Sequence, residues 1–368
     1  MRTFGRGIVA MGAALVLLFG LAACGGGGGT PTPTEPTATY GGAATAGDIF
    51  VIKMDYPAVG KATITRSETD GTLVGSKEMS YTANGTRYTF TDEDSNSFEA
   101  LMVADTMLTM FLPATDEKDI IVAVIVDPDM TSTAEAAAIL KNHDYILTQF
   151  RHDEKGVKWV WSNVDADGVV TGHKANEGNT LPYDLDDVDT TNNFDPGMDV
   201  DNLVYNAETS GFTLTVGDEI WTYYFTESGL GVIDKGPDKG IRFNMIKPAT
   251  YDPTGMVAVG DIYDTLFYGR RSETEEGTTQ GTITVTAVTA NSFTVDVDNG
   301  RDPVMTGIVI TADLSDLWRG FYRLPATIDA VPQNAVVQLV GSDAMIFAGK
   351  APAANPWQYE YGIGVKRK

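Results

Sequence analysis

Aspartates are concentrated between residues 184 and 201, where the chain reads DLDDVDTTNNFDPGMDVD. Carboxylates packed this closely repel one another, and Ca²⁺ binds about six to eight oxygen ligands of this kind. The segment therefore predicts a calcium site, and a solvated acidic loop between two strands is the alternative. The candidate ligands are Asp184, Asp186, Asp187, Asp189, Asp195, Asp199 and Asp201.

A shorter acidic stretch, from Asn163 to Gly168, reads NVDADG and has the ligand spacing of the first half of an EF-hand calcium loop. A complete loop would carry Glu at its last ligand position, where this chain has Lys174. Asp167-Gly168 is also a hairpin signal, because both residue types tolerate positive φ. The stretch therefore predicts a turn between two strands rather than a metal site.

Two pairs of aromatic residues have the alternate spacing that places side chains on one face of a strand. Trp159 and Trp161 form one pair, and Trp221 and Tyr223 form the other. If these side chains point inward, they belong to a hydrophobic core or line a cavity for an apolar ligand. If they point outward, they form a flat platform for sugar rings. The four residues are therefore candidate ligand contacts, with the core as the alternative.

Sequence patterns that signal catalysis are not found in a suitable context. We searched for GxSxG, the P-loop, HExxH and GxGxxG followed by a helix. Acidic residues are too numerous for any two to stand out as a glycosidase pair, because such a pair is recognised by its separation in space. The sequence predicts a non-catalytic protein, and a cell-envelope hydrolase is the less favoured alternative.

The single cysteine of the chain, Cys24, follows a segment with the layout of a secretory signal. Arg2 and Arg6 precede an apolar run, and small residues then lead to the cysteine. The sequence Leu-Ala-Ala-Cys at 21–24 resembles the lipobox of bacterial lipoproteins. This resemblance implies that residues 1–23 are a signal peptide that is removed, and that Cys24 carries acyl chains such as palmitate, which anchor the protein in a membrane.

Residues 24–46 contain five consecutive glycines and then a run rich in threonine and proline. Glycine-rich linkers are flexible and proline-rich linkers are extended, so this segment predicts a disordered tether. Gly25 stands where an aspartate in lipoproteins of two-membrane bacteria favours retention in the inner membrane. The resemblance therefore favours the outer membrane, and it leaves open which face carries the protein.

The formal net charge of −24 argues against binding to nucleic acid or to anionic lipid through charge. With Cys24 acylated, no thiol remains for a disulfide or for a thiolate zinc site. The expected cofactor list is therefore empty, apart from Ca²⁺ at the acidic segment.

After the tether, the chain reads as three related units at 47–129, 143–250 and 251–368. The openings resemble one another, as in GDIF at 47–50 and GDIY at 260–263. Each unit contains several runs of strand length, which are separated by turn residues, and some runs alternate strictly between apolar and polar residues. Residues 130–142 predict a short linker helix, in which Ser132 and Glu135 form a capping box.

The sequence therefore predicts an all-β protein with two to three tandem antiparallel meander barrels or barrel-like sandwiches. In strand number and meander order the units resemble lipocalin-like and avidin-like barrels. The resemblance is one of architecture, since no Gly-x-Trp occurs near the first strand of any unit. The expected role is capture of a small ligand, a glycan or an envelope protein outside the cytoplasm. A structural or adhesive protein with calcium-stabilised acidic loops is the alternative.

Lipid attachment can be tested by mass spectrometry of the mature N-terminus. We expect a chain that begins at Cys24 and carries the added mass of acyl groups, and Cys24→Ser should abolish both processing and membrane association. An unmodified Cys24, or a chain that still begins at Met1, would contradict the anchor.

Overall fold

The computed structural model describes residues 38–45, 47–55, 60–68, 70–111, 120–150, 157–176, 184–189, 197–236, 239–270, 276–300, 303–312, 319–328, 331–350 and 359–368. The architecture is all-β, as predicted, with a closed barrel before and a closed barrel after a curled open sheet along the chain. Cys24 and the glycine run lie outside the described residues. Within these ranges, no helix has the length and apolar character needed to cross a membrane.

The first sheet, barrel one, is an antiparallel meander that closes by pairing of its first and last strands. Its strands are β1 (Ala38–Ala44), β2 (Ile49–Met54), β3 (Lys61–Ser67), β4 (Leu73–Asn84), β5 (Arg87–Thr91), β6 (Ser97–Val103), β7 (Met107–Phe111) and β8 (Ile120–Ile125).

The second sheet, sheet two, has nine strands in the spatial order β12-β11-β10-β9-β17-β16-β15-β14-β13. They are β9 (His143–Phe150), β10 (Val157–Val164), β11 (Val170–Asn176), β12 (Asp184–Asp189), β13 (Val204–Asn206), β14 (Gly211–Val216), β15 (Glu219–Phe225), β16 (Gly231–Asp234) and β17 (Ile241–Ile246). Helix α1 (Thr133–Leu140) precedes the sheet and contacts the short 3-10 helix η1 (Val200–Asn202).

The third sheet, barrel three, repeats the closed meander of barrel one. Its strands are β18 (Ile262–Arg270), β19 (Glu276–Val288), β20 (Ser292–Asp298), β21 (Met305–Ala312), β22 (Phe321–Ile328), β23 (Val331–Val340), β24 (Ala344–Lys350) and β25 (Tyr359–Lys366). A second 3-10 helix, η2 (Pro253–Gly255), lies between sheet two and barrel three.

Turn chemistry explains why consecutive strands pair. Gly85 and Gly168 adopt φ of 62° and 89°, the left-handed region that glycine enters at little cost. Asp165 Oδ1 also accepts hydrogen bonds from the backbone N–H groups of Asp167 and Val169, both at 2.9 Å. The NVDADG stretch is thus a hairpin turn between β10 and β11, as the sequence predicts.

The predicted tether is wrong at its C-terminal end, because Ala38–Ala44 forms strand β1, which is buried throughout. Barrel one therefore begins at Ala38 and not at residue 47. The small residues that look like a linker are small because other groups pack against them. A Cβ atom on Gly41 would lie 2.1 Å from the ring of Tyr224, and one on Gly42 would lie 2.0 Å from the carbonyl oxygen of Val122.

Two local expectations also need correction. Ser132 occupies the N-cap position of α1, but its side chain makes no capping hydrogen bond. Residues 184–189 form strand β12, which pairs with β11, so this part of the acidic segment is not a loop.

Outward-facing apolar side chains of all three sheets meet in one cluster, which we call the junction core. Alternate residues of a strand serve different cores: in β8, Ile120, Val122 and Val124 face the junction, and Ile121 and Ala123 face the interior of barrel one. The junction core consists of Ala43, Ile49, Leu101, Val103, Met107, Ile120, Val122, Val124, Val126, Ile146, Phe150, Val157, Trp159, Tyr224, Leu230, Val232, Ile241, Phe243, Leu266, Tyr268, Phe321, Val336, Val340, Ala344, Ile346, Ala348, Tyr361, Ile363 and Val365.

Tyr361 of barrel three contacts both other sheets within the junction core. Its ring stacks on Phe150 of sheet two with the centroids 4.7 Å apart, and its hydroxyl lies 2.8 Å from Thr45 Oγ1 of barrel one. Nearby, the buried Gln338 accepts a hydrogen bond from Thr148 Oγ1 at 2.9 Å and donates one to the carbonyl oxygen of Ile146 at 3.2 Å. These polar contacts satisfy buried groups and fix the orientation of the sheets.

An ion cluster joins barrels one and three beside the junction core. The buried carboxylate of Asp264 accepts hydrogen bonds from Arg87 Nη2 at 2.6 Å and from Arg367 Nη2 at 2.7 Å. Arg87 Nη1 also donates to Gln280 Oε1 at 3.0 Å. Burial by itself would raise the pKa of Asp264, but the hydrogen bonds from Arg367 and Arg87 outweigh it and hold this pKa below its usual value.

Replacing Arg87 should weaken the contact between the two barrels. We expect Arg87→Ala to lower the free energy of unfolding by about 1.5–3 kcal/mol, the range for hydrogen bonds to charged groups. Urea unfolding measures this loss, and hydrogen exchange should rise in β5 and β18. Arg66→Ala is the matched control, because Arg66 pairs with Asp48 at 2.6 Å within barrel one. Equal exchange in β18 for both variants would contradict a clamp between barrels.

The contribution of this ion cluster to the free energy of unfolding should depend on pH. Because the folded pKa of Asp264 is lowered, the stabilisation is complete above the unfolded pKa of about 3.9 and is lost as the pH falls through the folded pKa. We expect the stability difference between wild type and Arg87→Ala to be constant from pH 7 to about 5 and to shrink below about 4. A difference that grows on acidification would contradict this assignment.

Candidate functional site

Trp159 and Trp161 lie on the same face of β10, as predicted, but this face is the outer one. Trp159 is completely buried in the junction core, and the half-buried Trp161 packs against that core. The ring of Trp161 stacks on His173 with the centroids 5.2 Å apart, and the ammonium group of Lys247 lies 5.8 Å from its centroid. The pair therefore packs between sheets and contacts protein groups where a sugar platform would need open ring faces.

Trp221 and Tyr223 lie on the opposite face of the sheet, in its concave interior. Both are buried in the hydrophobic cluster of sheet two. Lys235 Nζ lies 4.2 Å and Arg242 Cζ lies 4.9 Å from the Trp221 ring, which are cation–π distances. Because the two aromatic pairs occupy opposite faces of one sheet, the structure does not bring the four predicted contacts into one site.

The interior of sheet two contains a small cavity of about 40 Å³. Tyr223 lines it together with apolar residues, and Arg242, Asn244 and Ser162 add polar groups. Arg242 is 1% exposed, and its Nε donates to Gln149 Oε1 at 3.2 Å. This interior is largely filled by its own side chains.

The described part of the acidic segment supplies contacts within the protein. Asp199 Oδ1 caps η1 by accepting from the backbone N–H of Asp201 at 2.8 Å, and Asp201 Oδ2 lies 2.7 Å from Lys141 Nζ. Among the residues whose side chains are described, no group of three or more His, Cys, Asp or Glu is placed to hold a metal ion. Calcium binding stays a prediction, because Asp195 and the side chains of β12 lie outside the described residues.

Barrel three encloses an apolar cavity of about 80 Å³. Its wall includes Phe267, Ile283, Val295, Ile310, Val337 and Met345, which are all buried inward-facing residues. Asn299 and Glu360 line the same cavity and lie near the strand ends on one side of the barrel. An apolar wall with a small number of polar groups at one end is the usual composition of a small-molecule site.

Strict alternation of residue types builds this wall. In β19, Ile283 and Val285 face inward, and Thr284 and Thr286 face outward. The sequence predicts this two-faced strand from its alternating pattern. It does not predict the cavity, because whether inward side chains fill a barrel depends on their volumes around the whole ring and not on any one strand. In the sequence, the alternating apolar residues of β19 and β20 indicate the inward-facing wall, but they carry no signal for the cavity itself.

Comparisons with known proteins give distant structural similarities. No family model and no curated protein matches the sequence. A protein of unknown function of the DUF3598 family from Nostoc punctiforme is 10% identical, with a TM-score of 0.28 over 65% of this chain and 100% of that chain. Transferrin binding protein B from serogroup B Neisseria meningitidis is 9% identical, with a TM-score of 0.31 over 88% of this chain and 66% of that chain.

A variant of transferrin binding protein B from Haemophilus parasuis is similar at 10% identity, with a TM-score of 0.30 over 91% of this chain and 67% of that chain. This chain thus spans about two thirds of the length of the two transferrin binding proteins. TM-scores of this size do not establish a common arrangement of barrels, so neither ligand nor partner is transferred from them.

The burial of Trp159 leads to a stability prediction that separates a core residue from a ligand contact. We expect Trp159→Ala to lower the free energy of unfolding by about 3–5 kcal/mol, since it leaves a cavity between the sheets. Trp161→Ala should cost clearly less, because that side chain keeps access to solvent. Urea unfolding measures both values, and an equal or smaller loss for Trp159→Ala would contradict its place in the junction core.

Proposed function

We propose that this chain is a non-catalytic binding protein of the bacterial cell envelope, which is anchored by lipid at Cys24 and binds a small apolar ligand inside barrel three. The observation that carries the proposal is the apolar cavity of barrel three. Burial of apolar surface supplies the binding energy, at about 25 cal/mol per Å². The outer membrane is the proposed location, because residues 21–24 resemble a lipobox and Gly25 stands where an aspartate would favour the inner membrane.

The chemistry of the cavity wall supports binding over catalysis. None of the described residues that line the cavity is a serine, threonine, cysteine, histidine, aspartate or lysine. The polar groups at its end are one amide, of Asn299, and one carboxylate, of Glu360. A hydrolytic site would instead bring a nucleophile and a base within hydrogen-bonding reach of each other.

The cavity volume limits the bound group. An engineered apolar cavity of about 150 Å³ stays dry and binds benzene or xenon. A cavity of about 80 Å³ accepts xenon or a few carbons of a chain, so a longer ligand has to extend out of the barrel. The suitable probes are therefore xenon and short n-alkanols.

Methyl NMR with these probes tests the proposal. We expect xenon and hexan-1-ol to shift the methyl resonances of Ile283, Val295 and Ile310, which line the cavity. Ala335→Leu places a larger side chain into the cavity and should weaken the binding of both probes at least tenfold. It should also stabilise the protein by about 0.5–2 kcal/mol, as cavity filling commonly does.

The matched control is Ala287→Leu, the same substitution at an exposed position of β19. This variant should bind the probes like the wild type. Shifts that scatter over the whole protein, or unchanged binding by a folded Ala335→Leu variant, would refute the proposed site.

A further inference from the structure

The strand pairing in the wall of barrel three is interrupted between β21 and β22. These strands pair at two positions, Thr311 with Arg323 and Ala312 with Tyr322. By contrast, β22 pairs with β23 at every position from Phe321 to Ile328. The register of the short ladder would place Val309 opposite Pro325, but the pairing ends before that point. Residues 305–310 of β21 are therefore without partners in β22.

Two local features explain why the ladder ends there. Pro325 has no backbone N–H and cannot donate to a neighbouring strand. In β21, a bulge places one additional residue between the positions opposite Val295 and Val297. Gly307 lies in this bulge with φ of 69°, and its N–H donates to Asp296 Oδ1 at 2.8 Å. A bulge bends its strand and increases its twist, which separates β21 from β22.

Side-chain exposure shows that the gap reaches the cavity. Met305, Ile308 and Leu324 face inward and line the cavity, yet each is only half-buried. Inward-facing residues on the neighbouring strands β20 and β19 are fully buried, such as Val295 at 0% and Ile283 at 4% exposure. Inward side chains that solvent reaches beside an interrupted ladder mark an opening in the barrel wall.

The outer rim of the gap is also apolar. Val304, just before β21, is 56% exposed, and Val309, within the part of β21 that has no partner in β22, is 47% exposed. An apolar surface thus continues from the solvent-exposed side of β21, through the gap, to the cavity wall. A straight aliphatic chain fits such a path, because it can pass between two strands with its first carbons inside and the remainder against the rim.

We infer that the gap between β21 and β22 is a lateral entrance, through which an unbranched, uncharged aliphatic ligand enters the cavity of barrel three. This inference rests on the proposed function and adds the route and the ligand class. Uncharged ligands are favoured because burial of a charge in an apolar cavity is costly.

Closing the gap tests the entrance. Val309→Cys with Pro325→Cys, in the full chain with Cys24→Ser, places two thiols across the opening. An ethane-1,2-diyl bismethanethiosulfonate bridge joins them, and its formation is checked by mass. We expect the bridge to slow the exchange of hexan-1-ol at least tenfold, with the shifts at Ile283 retained, and reduction to restore the rate. Unchanged exchange in the bridged protein would overturn the entrance.

The matched control is Thr311→Cys with Arg323→Cys, because these positions are already paired. A bridge there should leave the exchange rate unchanged, and equal slowing in both bridged proteins would refute a specific opening. The ligand class is tested with hexanoate at pH 7, which should bind at least tenfold more weakly than hexan-1-ol. Equal binding would overturn the preference for uncharged ligands.

A thiol-reactivity measurement separates the entrance from the proposed function. If hexan-1-ol does not bind the unbridged protein, the proposed function fails, and the opening is judged by reactivity alone. Ile308→Cys, with Cys24→Ser, should react with methyl methanethiosulfonate at least tenfold faster than Val295→Cys in the same background. Equal rates would show that solvent does not reach the cavity through this gap.

Discussion

Burial of outward-facing side chains between the three sheets is the constraint on which this architecture depends. A meander barrel normally buries its inner face and exposes its outer face to solvent. Here strands β8, β9, β24 and β25 are buried on both faces, because their outer residues form the junction core. Tyr361 contacts sheet two and barrel one at once, so a displacement of either would break contacts with a fully buried ring.

This constraint decides which surfaces are left for binding. The loop at 341–343 borders barrel one and sheet two, where Val340 and Ala344 belong to the junction core. The cavity lies toward the other ends of the same two strands, where Ala335 pairs with Gly349. Barrel three is therefore covered by the junction core on the outer face of β18 and of β23 to β25, and it is lined for a ligand inside. A bulge and a proline interrupt its wall on the side of β21.

Sequence reasoning succeeded where one strand carries the information and failed where several sheets share it. Alternation in β19 and the Asx-Gly turns are local, and the structure confirms both. The sequence places strand β1 in the tether, because its glycines look like those of a linker. Their role is to make room for packing, and the tyrosine that packs on Gly41 is Tyr224, which lies far along the chain. The tryptophans were considered as core, cavity wall or platform of one barrel, whereas Trp159 packs in a core shared by three sheets.

The sequence by itself determined the all-β class, the meander order and the lipobox-like segment that ends at Cys24, because periodicity, turn residues and a short motif are local properties of the chain. Only the tertiary structure decided which strands are buried on both faces, that the two aromatic pairs lie on opposite faces of sheet two, and that barrel three keeps a cavity. The physical reason is that these features depend on packing between residues that are distant in the sequence, and alternation within one strand specifies two faces without specifying what covers them.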